Sequence, residues 1–202
     1  MIRIASIAAL VLLAPLASAN AAAVVGKPAP AFQLTDMNGE KVRLDSFKGK
    51  YVVLEWVNFQ CPFVGKHYGG QNMQALQKRY TEKGVVWLTI CSSAPGKQGH
   101  VTGSEAKQAV DERDAAPSRF LLDPKGVVGR AYGAKTTPHM FIIDKDGMLR
   151  YNGAIDDDSS ADGAKGDKAV NYVSKALDEI AKGETVSTPE TKPYGCGVKY
   201  AK

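Results

Sequence analysis

"YVVLEWVNFQCPFV", residues 51–64, decides how the rest of the chain is read. Its first nine residues are β-branched, aromatic and almost all apolar, the pattern of a strand buried on both faces. Pro62 follows Cys61 directly, and proline suits the first position of a helix, where its missing N–H is no loss. The stretch therefore reads as a central strand running into a helix capped by Cys61. That helix is expected to continue to about Tyr80, with Met73, Leu76 and Tyr80 spaced for one buried face. The start of a helix offers unpaired N–H groups and the positive end of its dipole, which favour a thiolate over a thiol. Position alone leaves Cys61 open between a reactive cysteine and an ordinary one packed under a helix end.

On the N-terminal side, "VGKPAPAFQLTDMNGEKVRLDSFKGK" (25–50) reads as short alternating strands with turns at Asn38-Gly39 and Lys48-Gly49. On the C-terminal side, "GVVWLTIC" (84–91) is a second buried strand, and Thr102-Gly103-Ser104-Glu105 has capping-box spacing ahead of a helix through Arg113. "RFLLD" (119–123) reads as a strand and "VVGRAYG" (127–133) as a short helix closed by Gly133. "TTPHMFIIDKDGMLRYNG" (136–153) gives two strands joined at Asp146-Gly147. Asp167 is placed to cap a last helix with Val170, Val173, Leu177 and Ile180 as its apolar stripe and Gly183 at its end. Strands alternating with helices, then a hairpin and a final helix, imply an α/β domain with a mixed sheet.

The chain has 202 residues, 44% hydrophobic and 23% charged, enough for one domain with a real core. The domain is expected over 25–183, with 184–202 as a tail without clear periodicity. Residues 1–19 stand apart: Arg3, an apolar run from Ile4 to Leu16, then Ala17-Ser18-Ala19. This is the pattern of a secretory signal peptide, and the run is too short to span a membrane. A periplasmic or secreted location follows as an expectation, with no stable membrane insertion, and an oxidising compartment with it. Cys61, Cys91 and Cys196 make an odd count, so one thiol is spare or one pair cycles. The formal net charge is +5, and losing Arg3 with the leader leaves +4, since residues 1–19 hold no acid. The lysines are dispersed, which argues against nucleic acid as a partner. No cysteine or histidine spacing matches a zinc or copper motif, so no metal or cofactor is expected. The acidic "DDDSSADGAKGD" (156–167) lacks the order of an EF-hand loop.

Three segments together resemble the thioredoxin-like superfamily, in its redoxin branch of AhpC/TSA-like and TlpA/ResA-like proteins. "GKPAPAFQLTDMNGEKVRLDSFKGK" is similar to the branch's N-terminal signature, "YVVLEWVNFQCPF" to the strand before its active-site helix, and "TTPHMFIIDKDG" to the loop carrying a cis-proline. The resemblance implies a thioredoxin fold: three layers, with a central mixed sheet flanked by helices and an N-terminal strand extension. It makes Cys61 the attacking cysteine, Pro62 its helix-starting neighbour and Pro138 the cis-proline. Glu55, six residues before Cys61, takes the place of a buried acid that moves protons to and from the cysteines. Read on its own, a carboxylate inside an apolar strand must be neutral, paired or functional, or else face solvent at an edge.

The departures define what is expected of the chemistry. Val64 replaces the second cysteine of C-x-x-C. Asn58 stands where peroxiredoxins carry a threonine, and Pro138-His139-Met140 where they carry an arginine. Those groups stabilise a peroxide transition state, so thiol–disulfide exchange comes first and thiol-dependent peroxide reduction, an antioxidant role, second. The expected partners are a thiol or disulfide protein or a peroxide, with an external thiol reductant. Cys196, in the glycine-flanked "TKPYGCGVKY", resembles the terminal resolving cysteine of some redoxins, carried on a tail free to swing. The alternative is a permanent Cys61–Cys196 disulfide in a non-catalytic binding module. Cys91 reads first as a buried thiol and second as another partner for Cys61. His67 falls about a turn and a half past Cys61, away from the sulfur. His139 either lowers the Cys61 pKa as a cation or packs in its loop.

Overall fold

The protein is described by a computed structural model over residues 22–202, so the expected leader lies outside the described residues. Among the described residues, nine strands and five α-helices run in the order β1 (Gln33–Asp36), β2 (Lys41–Arg43), β3 (Val52–Trp56), α1 (Pro62–Gly69), α2 (Asn72–Thr81), β4 (Val86–Cys91), α3 (Gly103–Asp111), β5 (Arg119–Leu122), α4 (Val127–Tyr132), β6 (Thr136–Thr137), β7 (His139–Ile143), β8 (Leu149–Gly153), α5 (Tyr172–Ala181) and β9 (Cys196–Gly197). Seven strands form one sheet in the order β2-β1-β5-β4-β3-β7-β8, and β6 pairs with β9 apart from it.

The sheet is mixed for a local reason. β3, β4 and β5 are parallel, with α1 and α2 crossing from β3 to β4 and α3 from β4 to β5, whereas β7 runs antiparallel to β3 and forms an antiparallel hairpin with β8. All five residues of β3 are buried, Glu55 among four apolar ones. Side chains alternate across it. Val53 and Val57 join Val64, Tyr68, Met73 and Val173 under α1, α2 and α5. Leu54 and Trp56 join Val128, Tyr132 and Phe141 under α4. Helices thus cover both faces, the expected three-layer arrangement.

Two helix boundaries depart from the sequence expectation. The helix after Cys61 ends at Gly69; Gly70 follows, Gln71 takes a left-handed conformation (φ 61°), and α2 restarts at Asn72. Consecutive glycines weaken the helix at that point, and the stripe of Met73, Leu76 and Tyr80 lies wholly on the second helix. The last helix is capped by Asn171, whose side chain accepts the Ser174 N–H at 2.8 Å. Asp167 lies in a separate 3-10 turn, and Val170 is exposed rather than part of the stripe. The better cap lay four residues further on. The capping box at Thr102 and Glu105 is present.

Candidate active site

Cys61 is the N-cap residue of α1, with Pro62 at the first helical position. The turn into it is built by Asn58, whose Oδ1 accepts the Gln60 N–H at 2.9 Å and whose backbone carbonyl accepts the Cys61 N–H at 2.9 Å. The Asn58 amide donates to the Gln98 carbonyl at 3.3 Å, so this side chain shapes the turn. Cys61 itself is only 1% exposed. Its thiol donates to the Thr137 carbonyl at 3.1 Å, directly before Pro138, and the Thr137–Pro138 peptide bond is cis.

Cys196 reaches the same place from the other end of the chain. In the β6–β9 pair, Thr137 lies opposite Cys196 and Thr136 opposite Gly197. All three cysteines carry free thiols, and Cys196 is the one that is not fully buried. Burial by itself would raise the Cys61 thiol. Hydrogen bonds from the Cys196 thiol, the Thr137 side chain and the Val64 N–H outweigh it and hold Cys61 below the ordinary thiol range. Burial and the hydrogen bond given to Cys61 push Cys196 the other way, to about 11. Of the two thiols, Cys61 is therefore the one whose ionised form is the more favoured, at a helix N-terminus that adds to the effect.

The tail is not free to swing. Thr191 is held to β8 by its N–H on the Asn152 carbonyl (3.1 Å) and by its hydroxyl, which accepts the Ala154 N–H (2.8 Å). Beyond Cys196, Val198 N–H donates to Lys135 O (3.1 Å), and Ala94 N–H donates to Lys199 O (2.9 Å). Gly195 takes φ +130°, and a Cβ there would lie 2.1 Å from the Thr137 carbonyl oxygen, so only glycine lets the tail approach this closely.

Glu55 is fully buried rather than facing solvent. Its Oε1 accepts from the Tyr68 hydroxyl (2.8 Å), and its Oε2 from Trp87 Nε1 (2.8 Å), Thr89 Oγ1 (3.0 Å) and Gln77 Nε2 (3.1 Å). Burial raises its pKa, and the four donors oppose that rise. None of its hydrogen bonds among the described residues goes to Cys61; Tyr68, on α1, is its link to the helix that Cys61 caps.

The remaining expected residues separate. Cys91 donates to the Gly99 carbonyl at 3.3 Å, and burial raises its thiol. His139 does not face Cys61. It packs on the opposite side of the sheet, its ring 4.5 Å from Phe141, with Nδ1 accepting the Lys135 N–H (3.2 Å) and Nε2 bonded to Asn152 Oδ1 (2.8 Å). Burial lowers it to about 4, so it is neutral and supplies no cation to the thiol. The reason is strand alternation: Met140, not His139, points to the Cys61 side. His67 faces the tail through Tyr194, 3.0 Å from Nε2, as its distance from Cys61 in the helix allows. Sequence reasoning missed Thr137, Tyr194 and Asp156. Thr137 was findable as the residue before the expected cis-proline. Tyr194 was hinted at only by lying two residues before Cys196.

No cluster of metal-ligating side chains occurs among the described residues, and no helix among them is long and apolar enough to cross a membrane.

The AhpC/TSA family model matches residues 25–152. The thiol-disulfide oxidoreductase ResA of Bacillus thuringiensis subsp. konkukian (strain 97-27) is 31% identical over 135 residues, covering 62% of this chain and 66% of ResA. The match therefore spans just under two thirds of that relative's length. Among solved structures, an uncharacterized conserved protein from Geobacillus kaustophilus superposes with a TM-score of 0.74 at 28% identity, covering 88% of this chain and 93% of the other. A hypothetical protein from Sinorhizobium meliloti 1021 shares the fold, with a TM-score of 0.76 at 24% identity over 90% of this chain and 97% of the other.

Proposed function

We propose, from the premise that this chain belongs to the AhpC/TSA family, that it is a thiol–disulfide oxidoreductase working through Cys61 and Cys196. The observation that carries this reading is the pairing of Thr137 with Cys196, beside a Cys61 thiol that donates to the Thr137 carbonyl. The Cys61 thiolate attacks one sulfur of a substrate disulfide and expels the other as a thiol. Cys196 then attacks the Cys61 sulfur, gives up its proton and releases the rest of the substrate as a second thiol. Two protein thiols become one bridge as one substrate disulfide becomes two thiols, and an external thiol reductant restores the pair. Cys61, with the lower pKa, is the better nucleophile at neutral pH and the better leaving group in the return step. Glu55 supports this by anchoring α1 through Tyr68 and stays the candidate for proton transfer within the helix-side core.

A second reading, peroxide reduction, is favoured by the near-complete burial of Cys61. A small oxidant reaches such a sulfur more readily than a protein disulfide does. Cys61 would form a sulfenic acid and Cys196 would condense with it, releasing water. A third, a non-catalytic module stapled by a permanent Cys61–Cys196 bridge, differs in being resistant to thiol reductants. Export through residues 1–19 belongs to the same proposal, and N-terminal sequencing of the mature protein checks it.

The deciding experiment mixes the reduced protein separately with a disulfide-bonded test protein and with hydrogen peroxide, then quenches with an alkylating agent for mass spectrometry. Exchange predicts a Cys61 mixed disulfide that accumulates in Cys196→Ser. Peroxidase activity predicts a Cys61 sulfenate instead. If Cys61→Ser keeps the parent rate with both oxidants, the redox reading fails.

A further inference from the structure

Strand pairing is not all that keeps Cys196 at Cys61. Two residues earlier, the Tyr194 hydroxyl meets His67 Nε2 at 3.0 Å and donates a hydrogen bond to Asp156 Oδ1. His67 is buried in α1, and its Nδ1 takes a hydrogen bond from the Asn72 side-chain amide at 2.9 Å. That fixes the direction of the chain: Asn72 donates to His67, His67 donates through Nε2 to Tyr194, and Tyr194 donates to Asp156. Asp156 is tied in turn by the Asp158 N–H at 3.0 Å. The Lys66 ammonium lies 4.8 Å from the centre of the Tyr194 ring and donates to the Ser160 carbonyl at 2.7 Å. Only Gly195 separates this anchor from Cys196, and Gly195 lies hard against Thr137.

We infer that Tyr194, clasped by His67 and Asp156, is a positioning residue for the redox pair, holding Cys196 docked against Thr137 in the dithiol state. The inference rests on the exchange reading above. In the bridged state the covalent bond itself keeps the tail docked. In the dithiol state non-covalent contacts alone do so, and the strand pair and the clasp are those nearest Cys196. The bridging equilibrium is therefore scaled by the fraction of dithiol molecules whose tail is docked, and losing the clasp lowers that fraction. A residue that merely stabilised the fold would lower the melting temperature and leave this equilibrium unchanged.

The test equilibrates the full chain with glutathione and glutathione disulfide. The protein dithiol and one glutathione disulfide give the Cys61–Cys196 bridge and two glutathiones, counted by mass after alkylation. Tyr194→Phe keeps the ring and removes the hydroxyl. It is expected to weaken bridging about tenfold, a potential about 30 mV less negative. Asp156→Asn keeps an acceptor oxygen for Tyr194 and stays within about twofold of the parent. His67→Gln shifts in the same direction as Tyr194→Phe and decides the matter should that variant not fold. Parent-like bridging in both Tyr194→Phe and His67→Gln overturns the clasp alone. A parent that never bridges Cys61 to Cys196 at any glutathione ratio overturns the exchange reading and the clasp with it.

Discussion

Cys61 and Cys196 meet at Thr137, yet their surroundings are held together by different means. Around Cys61 the chain does the work locally: β3 is buried over its whole length, the turn at Asn58 follows at once, and Pro62 starts α1. Around Cys196 almost every anchor is distant in sequence: Asn152 and Ala154 for Thr191, His67 and Asp156 for Tyr194, Lys135 for Val198 and Ala134 for Tyr200. The first sulfur is placed by a continuous apolar core, the second by separate polar contacts laid over that core. Damage near Cys61 should therefore reach the nucleophile or the whole fold. Damage in the tail should undock Cys196 and spare the rest.

The largest effect separates the two thiols themselves. Cys61→Ser removes the attacking sulfur and should lower exchange with a test disulfide by roughly a thousandfold or more. Cys196→Ser should keep the first attack and stop at a mixed disulfide on Cys61, visible as an added mass. Equal loss of the first attack in both variants would mean that Cys196 is needed for nucleophilicity and not only for resolution.

Next in size is the buried carboxylate on the Cys61 side. Glu55→Ala leaves the Tyr68, Gln77, Trp87 and Thr89 donors without their acceptor and opens a void in β3. Urea unfolding should register a loss of about 3–5 kcal/mol. Glu55→Gln, which keeps the volume and removes a charge that burial disfavours, should lose far less. A Glu55→Ala protein as stable as its parent would contradict a core that holds Cys61 as one unit.

On the tail side, Gly195→Ala should be the most disruptive single methyl. It forces an unfavourable φ near +130° and sets a Cβ 2.1 Å from the Thr137 oxygen, so β9 must part from β6. A stability loss of about 1–3 kcal/mol is expected. Cys196 should be alkylated faster, and the Cys61 thiol pKa should rise as the hydrogen bond from Cys196 is lost. Thiolate ultraviolet absorbance against pH reads that shift directly.

The pH dependence of stability tests both regions, because each buries a histidine. His67 beneath the tail and His139 beside β8 are both lowered by burial from 6.5 to about 4. The unfolded chain binds these protons from about pH 6.5 downward, and the native protein does not until about pH 4. Their contribution is thus fully present above pH 6.5 and is lost as pH falls toward 4. Asp156, raised by burial, and Glu55, raised likewise, act in the opposite sense as the native state takes up their protons. The histidine part is isolated by comparison with His67→Gln and His139→Gln, each of which should flatten the slope of unfolding free energy across that window.

The same contrast explains what the sequence could and could not reveal. The order of strands and helices, the Cys61 cap and the Pro138 loop were legible because each is written in neighbouring residues: an apolar run, a Cys-Pro step, a threonine pair before a proline. The break at Gly69-Gly70 was also written locally, in two consecutive glycines ahead of the stripe of Met73, Leu76 and Tyr80. The orientation of His139 depended on the phase of β7, which only pairing with β3 fixes, with Trp56 opposite His139. The ordered course of 190–201 was not legible at all. A glycine- and proline-containing tail has no periodicity, and its partners lie at Ala94, at Lys135 and along β8. The Tyr194 anchor needed the fold before it could be seen, since it joins residues 127 and 38 positions apart.

The smallest expected effect concerns the far end of that tail. The Tyr200 hydroxyl donates to the Ala134 carbonyl at 2.8 Å, and its side chain lies over Gly126 and Gly129, where an added Cβ would come to 2.4 Å from a ring carbon at Gly126 and from the hydroxyl oxygen at Gly129. Tyr200→Phe keeps the ring packing and loses one hydrogen bond, so about 0.5–1.5 kcal/mol of stability should go. The hydrogen bond from Val198 to Lys135 lies between Tyr200 and Cys196 and closes β9 independently. Alkylation of Cys196 should therefore proceed at nearly the parent rate. A Tyr200→Phe protein whose Cys196 reacts as fast as in Gly195→Ala would mean that the tail docks as a single unit rather than segment by segment.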